Sequence, residues 1–150
     1  MTEPRPVELA GEDVGRRIVV WSWRGTAVFV VTAVAAAISP DLFRWPALTV
    51  ALALFAVGCV VFLWAFAIAV ERSRIVAIGI GGLYFLAGSA PKKVQMHLMG
   101  ALAVQVVVAI ATASVRVFTS LAFGILVPVF GLGMAGLWGA RHGAFERNDE

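Results

Sequence analysis

Arg24 is the one charge inside a long apolar run, IVVWSWRGTAVFVV, where few other side chains can do chemistry. If that run lies in a membrane, such a residue marks a site for an anion, a counter-charge or a proton path. Trp21 and Trp23 precede it, and a helical side chain leans toward the N-terminus, so its guanidinium reaches toward phosphate head groups. Arg72, Arg74, Lys92 and Lys93 carry the same chemistry. With Arg24 they form a candidate set for an anionic lipid or another anionic ligand on one face of the membrane.

The remaining chemistry-bearing residues are sparse. His97 and His142 are the only histidines, and an axial pair for haem needs two imidazoles on facing helices at matched depth. Both stand near the ends of apolar runs, so no cofactor is expected. Cys59 is the single cysteine, with no second thiol for a disulfide or a metal site, and reads as a small packing residue. Gln105, Thr112 and Thr32 are the deepest polar side chains, suited to bonding across helices or to the backbone. No Asp or Glu interrupts the apolar runs, whereas proton-coupled exporters place a carboxylate or histidine at membrane depth. Serines occur without a G-x-S-x-G turn. No catalytic constellation or metal site is expected, and the chain does not read as an enzyme.

The elements that position these residues follow from composition. The 150 residues are 61% hydrophobic and 14% charged, with a mean hydropathy of +0.92. Charges gather in Met1–Arg17, Glu71–Arg74, Lys92–Lys93 and Arg141–Glu150. That is the pattern of an integral membrane protein. The net charge of +3 does not point to nucleic acid, because no basic residues interleave with aromatics on a soluble platform. Membrane lipids are the expected partners.

Four apolar runs are long enough to span, at about 18–39, 47–70, 98–115 and 118–140. Residues 1–17, acidic and proline-containing, read as a mobile cytoplasmic tail, and 141–150 as a second polar tail. Arg16–Arg17 is not a convincing twin-arginine signal, because the leader is acidic where it should be basic, so the first span is expected to remain as an anchor. Pro40 to Pro46 reads as a short loop with Trp45 at the membrane boundary. Few residues surround Arg116, which implies a tight hairpin between the last two spans.

The segment at about 75–90 raises the question of topology. As a fifth span it leaves seven basic residues inside and five outside. As a segment that does not cross, it leaves Arg5, Arg16, Arg17, Arg24, Arg72, Arg74, Lys92, Lys93, Arg141 and Arg147 inside, against Arg44 and Arg116 outside. The positive-inside tendency favours the second arrangement. Gly79, Gly81, Gly82 and Gly88 weaken a regular helix there and permit chain reversal. The expectation is a glycine-rich re-entrant or interfacial segment, the alternative being a short fifth span with close-packed glycines.

In the last run Gly124, Pro128, Gly131, Ala135 and Gly139 recur on one face, and Pro128 is placed to kink the helix. Small residues there admit a neighbouring backbone, either from within the chain or from a membrane-protein partner or second copy.

The stretch FLAGSAPKKVQMHLMGALAVQVVVAIATASVRVFTSLAFGILVPVFGLGMAGLWGARHG, Phe85 to Gly143, resembles a group of small uncharacterised actinobacterial integral membrane proteins, and the preference for Arg over Lys suits such high-GC genomes. The resemblance implies a four-helix inner-membrane protein without an assigned activity and carries over no functional residue. The sequence therefore predicts an all-α membrane protein of four transmembrane helices, multi-pass in the bacterial cytoplasmic membrane with both termini cytoplasmic. Packing features are present while reactive and translocating ones are lacking, so the expected role is an accessory or scaffold subunit of a membrane complex. The alternative is a small transporter or channel component, with the 79–89 loop lining a pathway beside Gln105.

Overall fold

The computed structural model describes the backbone over residues 6–115 and 120–146, and side chains over 15–115 and 122–146. The fold is all-α. Helices α1 (Pro6–Ile38), α2 (Pro40–Arg72), α3 (Ile80–Tyr84), α4 (Lys92–Val115) and α5 (Pro128–His142) follow in order, with a 3-10 stretch, Ser120–Leu126, leading into α5. Four segments are long and apolar enough to cross a membrane: Gly15–Ile38, Pro40–Arg72, Lys92–Val115 and Ala122–His142.

Three boundaries differ from the sequence expectation, each for a local reason. The chain is already helical at Pro6, within the expected tail. Proline at the first helical position gives up no bond, since its missing N–H would have no partner within the helix. Pro40 to Pro46 is helix rather than loop, so Ser39 alone joins α1 to α2. Pro40 opens α2, Asp41 lies in its first turn, and Pro46 is tolerated inside it. The last span is also not one kinked helix. Pro128 has no N–H to bond back to Gly124 O, which accepts from the Val127 N–H instead (3.0 Å), and the chain runs as 3-10 helix up to Leu126. At about 2.0 Å per residue in the 3-10 stretch and 1.5 Å in α5, the two cover roughly 36 Å, where α5 alone covers about 22 Å. The hairpin around Arg116 lies outside the described residues.

Side-chain layers fix the arrangement. Ile18 packs with Leu98, Thr26 meets Gln105, and Phe29 packs with Ala109, so α1 and α4 run parallel. Gly58 abuts Phe130, Gly136 faces Ala65, and Arg72 reaches Ala140, so α2 and α5 run parallel, opposite to the first pair. Ala36 and Ala47 close the far end. In the last span 56% of the apolar window is buried, against 17–28% in the other three, which makes α5 the central helix. Small residues allow this: Gly131, Gly133, Ala135, Gly136, Gly139 and Ala140 are all buried.

Residues 73–91 form no spanning helix. They leave the end of α2 and return to the start of α4 at the same end of the bundle, beside the last turn of α5. Leu83, Tyr84 and Leu86 are buried from this segment, Leu86 against Ile18, Leu98 and Trp138. Leu86 adopts a left-handed conformation at φ 56°, costly for a bulky side chain and held here by complete burial.

The chain beyond Ala140 is not a free tail as far as Glu146. α5 continues to His142, the Ala144 N–H donates to Ser89 O (2.9 Å), and the Ala77 N–H donates to Glu146 O (3.0 Å). Residues 1–5 and 147–150 lie outside the described residues.

Candidate functional site

The five cations expected to act together are separated. Arg72 is directed inward: Nη1 donates to Ala140 O at 2.5 Å and Nη2 to Gly143 O at 3.2 Å. These are carbonyls at the end of α5, where a helix leaves acceptors without intrahelical partners and favours positive charge. Phe145 lies under the same guanidinium, 5.7 Å from ring centre to Cζ. Arg72 is therefore a clasp between α2 and the C-terminal segment, not a free ligand contact. Arg74, Lys92 and Lys93 are exposed at that end of the bundle.

Arg24 groups instead with two residues of its own helix. Arg16, Arg17, Val20, Trp21 and Arg24 line an open recess of about 500 Å3 on the outward side of α1. All five are exposed, and the Arg24 guanidinium stands 5.4 Å from the Trp21 ring centre, a cation–π distance. The spacing 17, 20/21, 24 places these side chains on one stripe.

The four loop glycines have unequal roles. Gly88, at φ 73°, shares the chain reversal with Leu86. Gly82 is a close approach, since a Cβ there meets the Phe145 ring at 3.0 Å. Its carbonyl accepts the Ser89 hydroxyl. Gly79 and Gly81 are open, with nothing within 4 Å of an added Cβ. The loop stops short of Gln105: Leu86 meets α4 at Leu98, about 10 Å along the helix from Gln105. The loop and Gln105, which the alternative reading sets side by side, do not meet.

Gln105 is completely buried and donates Nε2 to Thr26 Oγ1 at 2.7 Å; Thr26 in turn donates to Ser22 O at 2.8 Å. Among the described residues Gln105 Oε1 and Ser22 Oγ have no hydrogen-bond partner. Thr112 and Thr32 bond back to carbonyls of their own helices. His97 is exposed. His142 is half-buried against Trp138, with ring centres 5.6 Å apart.

The small-residue face closes on the chain itself. Gly124 lies against Phe29, Gly131 against Gln105 and Leu102, and Gly139 against the Leu83 carbonyl and Leu86; Ala135 is fully buried. A second set of close approaches was not anticipated from the sequence. A Cβ at Gly58 falls 2.6 Å from the Phe130 nitrogen, one at Gly133 falls 2.8 Å from Gly58 O, and one at Gly25 strikes the Phe130 ring. Gly58 and Gly133 bring the backbones of α2 and α5 together. The available signal on α2 is Gly58 standing alone among larger residues, whereas Gly133 is one of several glycines in α5 and is not set apart by the sequence.

Among the described residues no group of three or more His, Cys, Asp or Glu is placed to hold a metal ion. The chain matches no protein-family model, no curated protein and no solved structure.

Proposed function

We propose that this multi-pass protein is an accessory or scaffold subunit of a membrane complex, without catalytic activity of its own. It sits in the bacterial cytoplasmic membrane with both termini cytoplasmic and the 75–90 segment wedged into that side without crossing. The observation that carries the reading is where the polar and small groups point. Gln105 bonds Thr26, Arg72 bonds the end of α5, and the glycine faces meet backbones and side chains of the chain's own helices, filling the centre. The outward faces present large apolar side chains such as Val60, Leu63, Trp64 and Phe66 on α2 and Val107 and Ile110 on α4. Orientation rests on charge: Arg16, Arg17, Arg72, Arg74, Lys92, Lys93 and Arg141 gather at one end of the bundle, and Arg44 at the other.

Mass spectrometry of what co-purifies with the tagged protein from its native membrane, in mild detergent, tests the role. A stoichiometric membrane-protein partner supports it. Recovery of the protein alone, or as a homo-oligomer, overturns it in favour of a small transporter or channel component, whose supporting observation is the unpartnered Gln105 Oε1 and Ser22 Oγ deep in the bundle. Reporters fused before Met1 and after Glu150 test the topology: both read as cytoplasmic, whereas a fifth span places them on opposite sides.

A further inference from the structure

We propose that the outward face of α1 is a binding site for an anionic phospholipid, its phosphate held between Arg17 and Arg24 with Arg16 adding charge. Arg17 and Arg24 are two helical turns apart, about 10.5 Å between their Cα atoms, and Arg24 leans back toward Arg17. The recess between them, about 500 Å3, has Val20 and Trp21 as its wall. Two guanidinium forks facing one gap suit the tetrahedral oxygens of a phosphate, which a guanidinium meets with paired donors.

The charge balance marks Arg24 as the anchor. Glu12 and Asp13 stand four positions before Arg16 and Arg17 in the sequence, and an i, i+4 ion pair is in general worth only about 0.2–0.5 kcal/mol, less than a charge-assisted bond to phosphate. For Arg24 the closest acidic residues in the sequence are Asp13 and Asp41, both several turns away. Only about 21 Å of helix separates Arg24 from Ile38 at the far end of α1, less than a hydrocarbon core of about 30 Å, so its backbone lies below the boundary and its guanidinium, 5.4 Å from the Trp21 ring, reaches back to the head-group level, where phosphate is the anion at hand.

The occupant is a lipid rather than a soluble phosphate because the same stripe continues as an acyl-chain track. Past Arg24 the outward positions are Val28, Val31 and Ile38, exposed by 50%, 67% and 76%. Trp21, 59% exposed between the two arginines, belongs at the level where head group meets chain. A molecule that fills both parts has a phosphate at one end and hydrocarbon at the other.

The test is native mass spectrometry of the purified full chain in detergent, titrated with phosphatidylglycerol, phosphatidylcholine of the same acyl chains, and glycerol 3-phosphate. The expected result is at least a tenfold preference for phosphatidylglycerol over phosphatidylcholine and no retained glycerol 3-phosphate. R17Q/R24Q loses that preference, while R74Q/K92Q/K93Q keeps it within about twofold. E12Q/D13N binds as tightly as the native chain or more so. Because Arg17, Arg24, Arg74, Lys92 and Lys93 are exposed, an unchanged circular-dichroism melt is expected for R17Q/R24Q and for R74Q/K92Q/K93Q. The proposal is overturned if R17Q/R24Q keeps the preference, if the distant triple variant loses it equally, if E12Q/D13N weakens binding, or if glycerol 3-phosphate binds as well as the lipid.

Discussion

Replacing Gly58 by alanine perturbs the contact that brings α2 and α5 together. The added Cβ sits 2.6 Å from the Phe130 nitrogen, 2.7 Å from its Cα and 2.9 Å from the Val129 carbonyl carbon. All three are main-chain atoms of the first turn of α5, so no rotamer change relieves the clash. Ordinary contact begins at 3.4 Å, which requires the two helices to part by about 0.8 Å at this point. A gap of that size forfeits roughly a quarter to a half of the attraction of each atom pair across it, and overpacking of this kind costs about 1–3 kcal/mol. Alanine's better helix propensity offsets up to about 1 kcal/mol of that. The expected net loss is about 1–2 kcal/mol, a five- to thirtyfold shift in the folded fraction. Gly81, in α3 with nothing within 4 Å of an added Cβ, is the control: G81A is neutral or slightly stabilising. Equilibrium unfolding in mixed detergent micelles, followed by helical circular dichroism, measures both. G58A at or above native stability would refute the close approach, since an open helical glycine gains stability from the same change.

Substitutions at three other positions probe the loop, the clasp and the buried amide. L86A is expected to lose about 2–4 kcal/mol from the cavity left against Trp138 and Leu98, whereas L86G, free of the left-handed strain, is about 1 kcal/mol more stable than L86A; thermal melts giving the opposite order would show that the strain is not there. R72Q loses the charged donors to Ala140 O and Gly143 O, worth about 1.5–3 kcal/mol, so amide hydrogen exchange over residues 143–146 and at Ala77 accelerates at least tenfold; unchanged exchange would mean the segment is held without the clasp. Q105L removes one interhelical bond of about 0.6 kcal/mol together with an unpaired buried carbonyl, so stability stays within about 1 kcal/mol of native. A loss above 3 kcal/mol in detergent unfolding would show that the Gln105 amide is a structural keystone.

The four segments able to span were legible because hydropathy and span length are local properties: about twenty consecutive apolar residues are needed to cross, and the segments ending at Ile38, Arg72, Val115 and His142 meet that condition. The segment around Gly79–Gly88 was legible as too short and too glycine-rich to continue the pattern. Pro40 and Pro6 were misjudged because proline favours a turn and the first position of a helix alike, and only the helix that follows decides between them. For Arg72 the sequence shows a cation at a helix end; the carbonyls of Ala140 and Gly143 that it meets lie far along the chain and arrive only with α5 in place.

What the sequence by itself determined is therefore the class, the number of spans and the asymmetry of charge between their ends. Tertiary structure decided which helix is central, which glycines touch backbone and which polar groups face one another. The reason lies in the solvent. In water an inward face announces itself by being apolar, but a helix in lipid is apolar all round, so inside and outside share one composition. Only small steps in side-chain size mark the inward face, and Gly58 against Phe130 becomes recognisable as a contact once the two helices are already side by side.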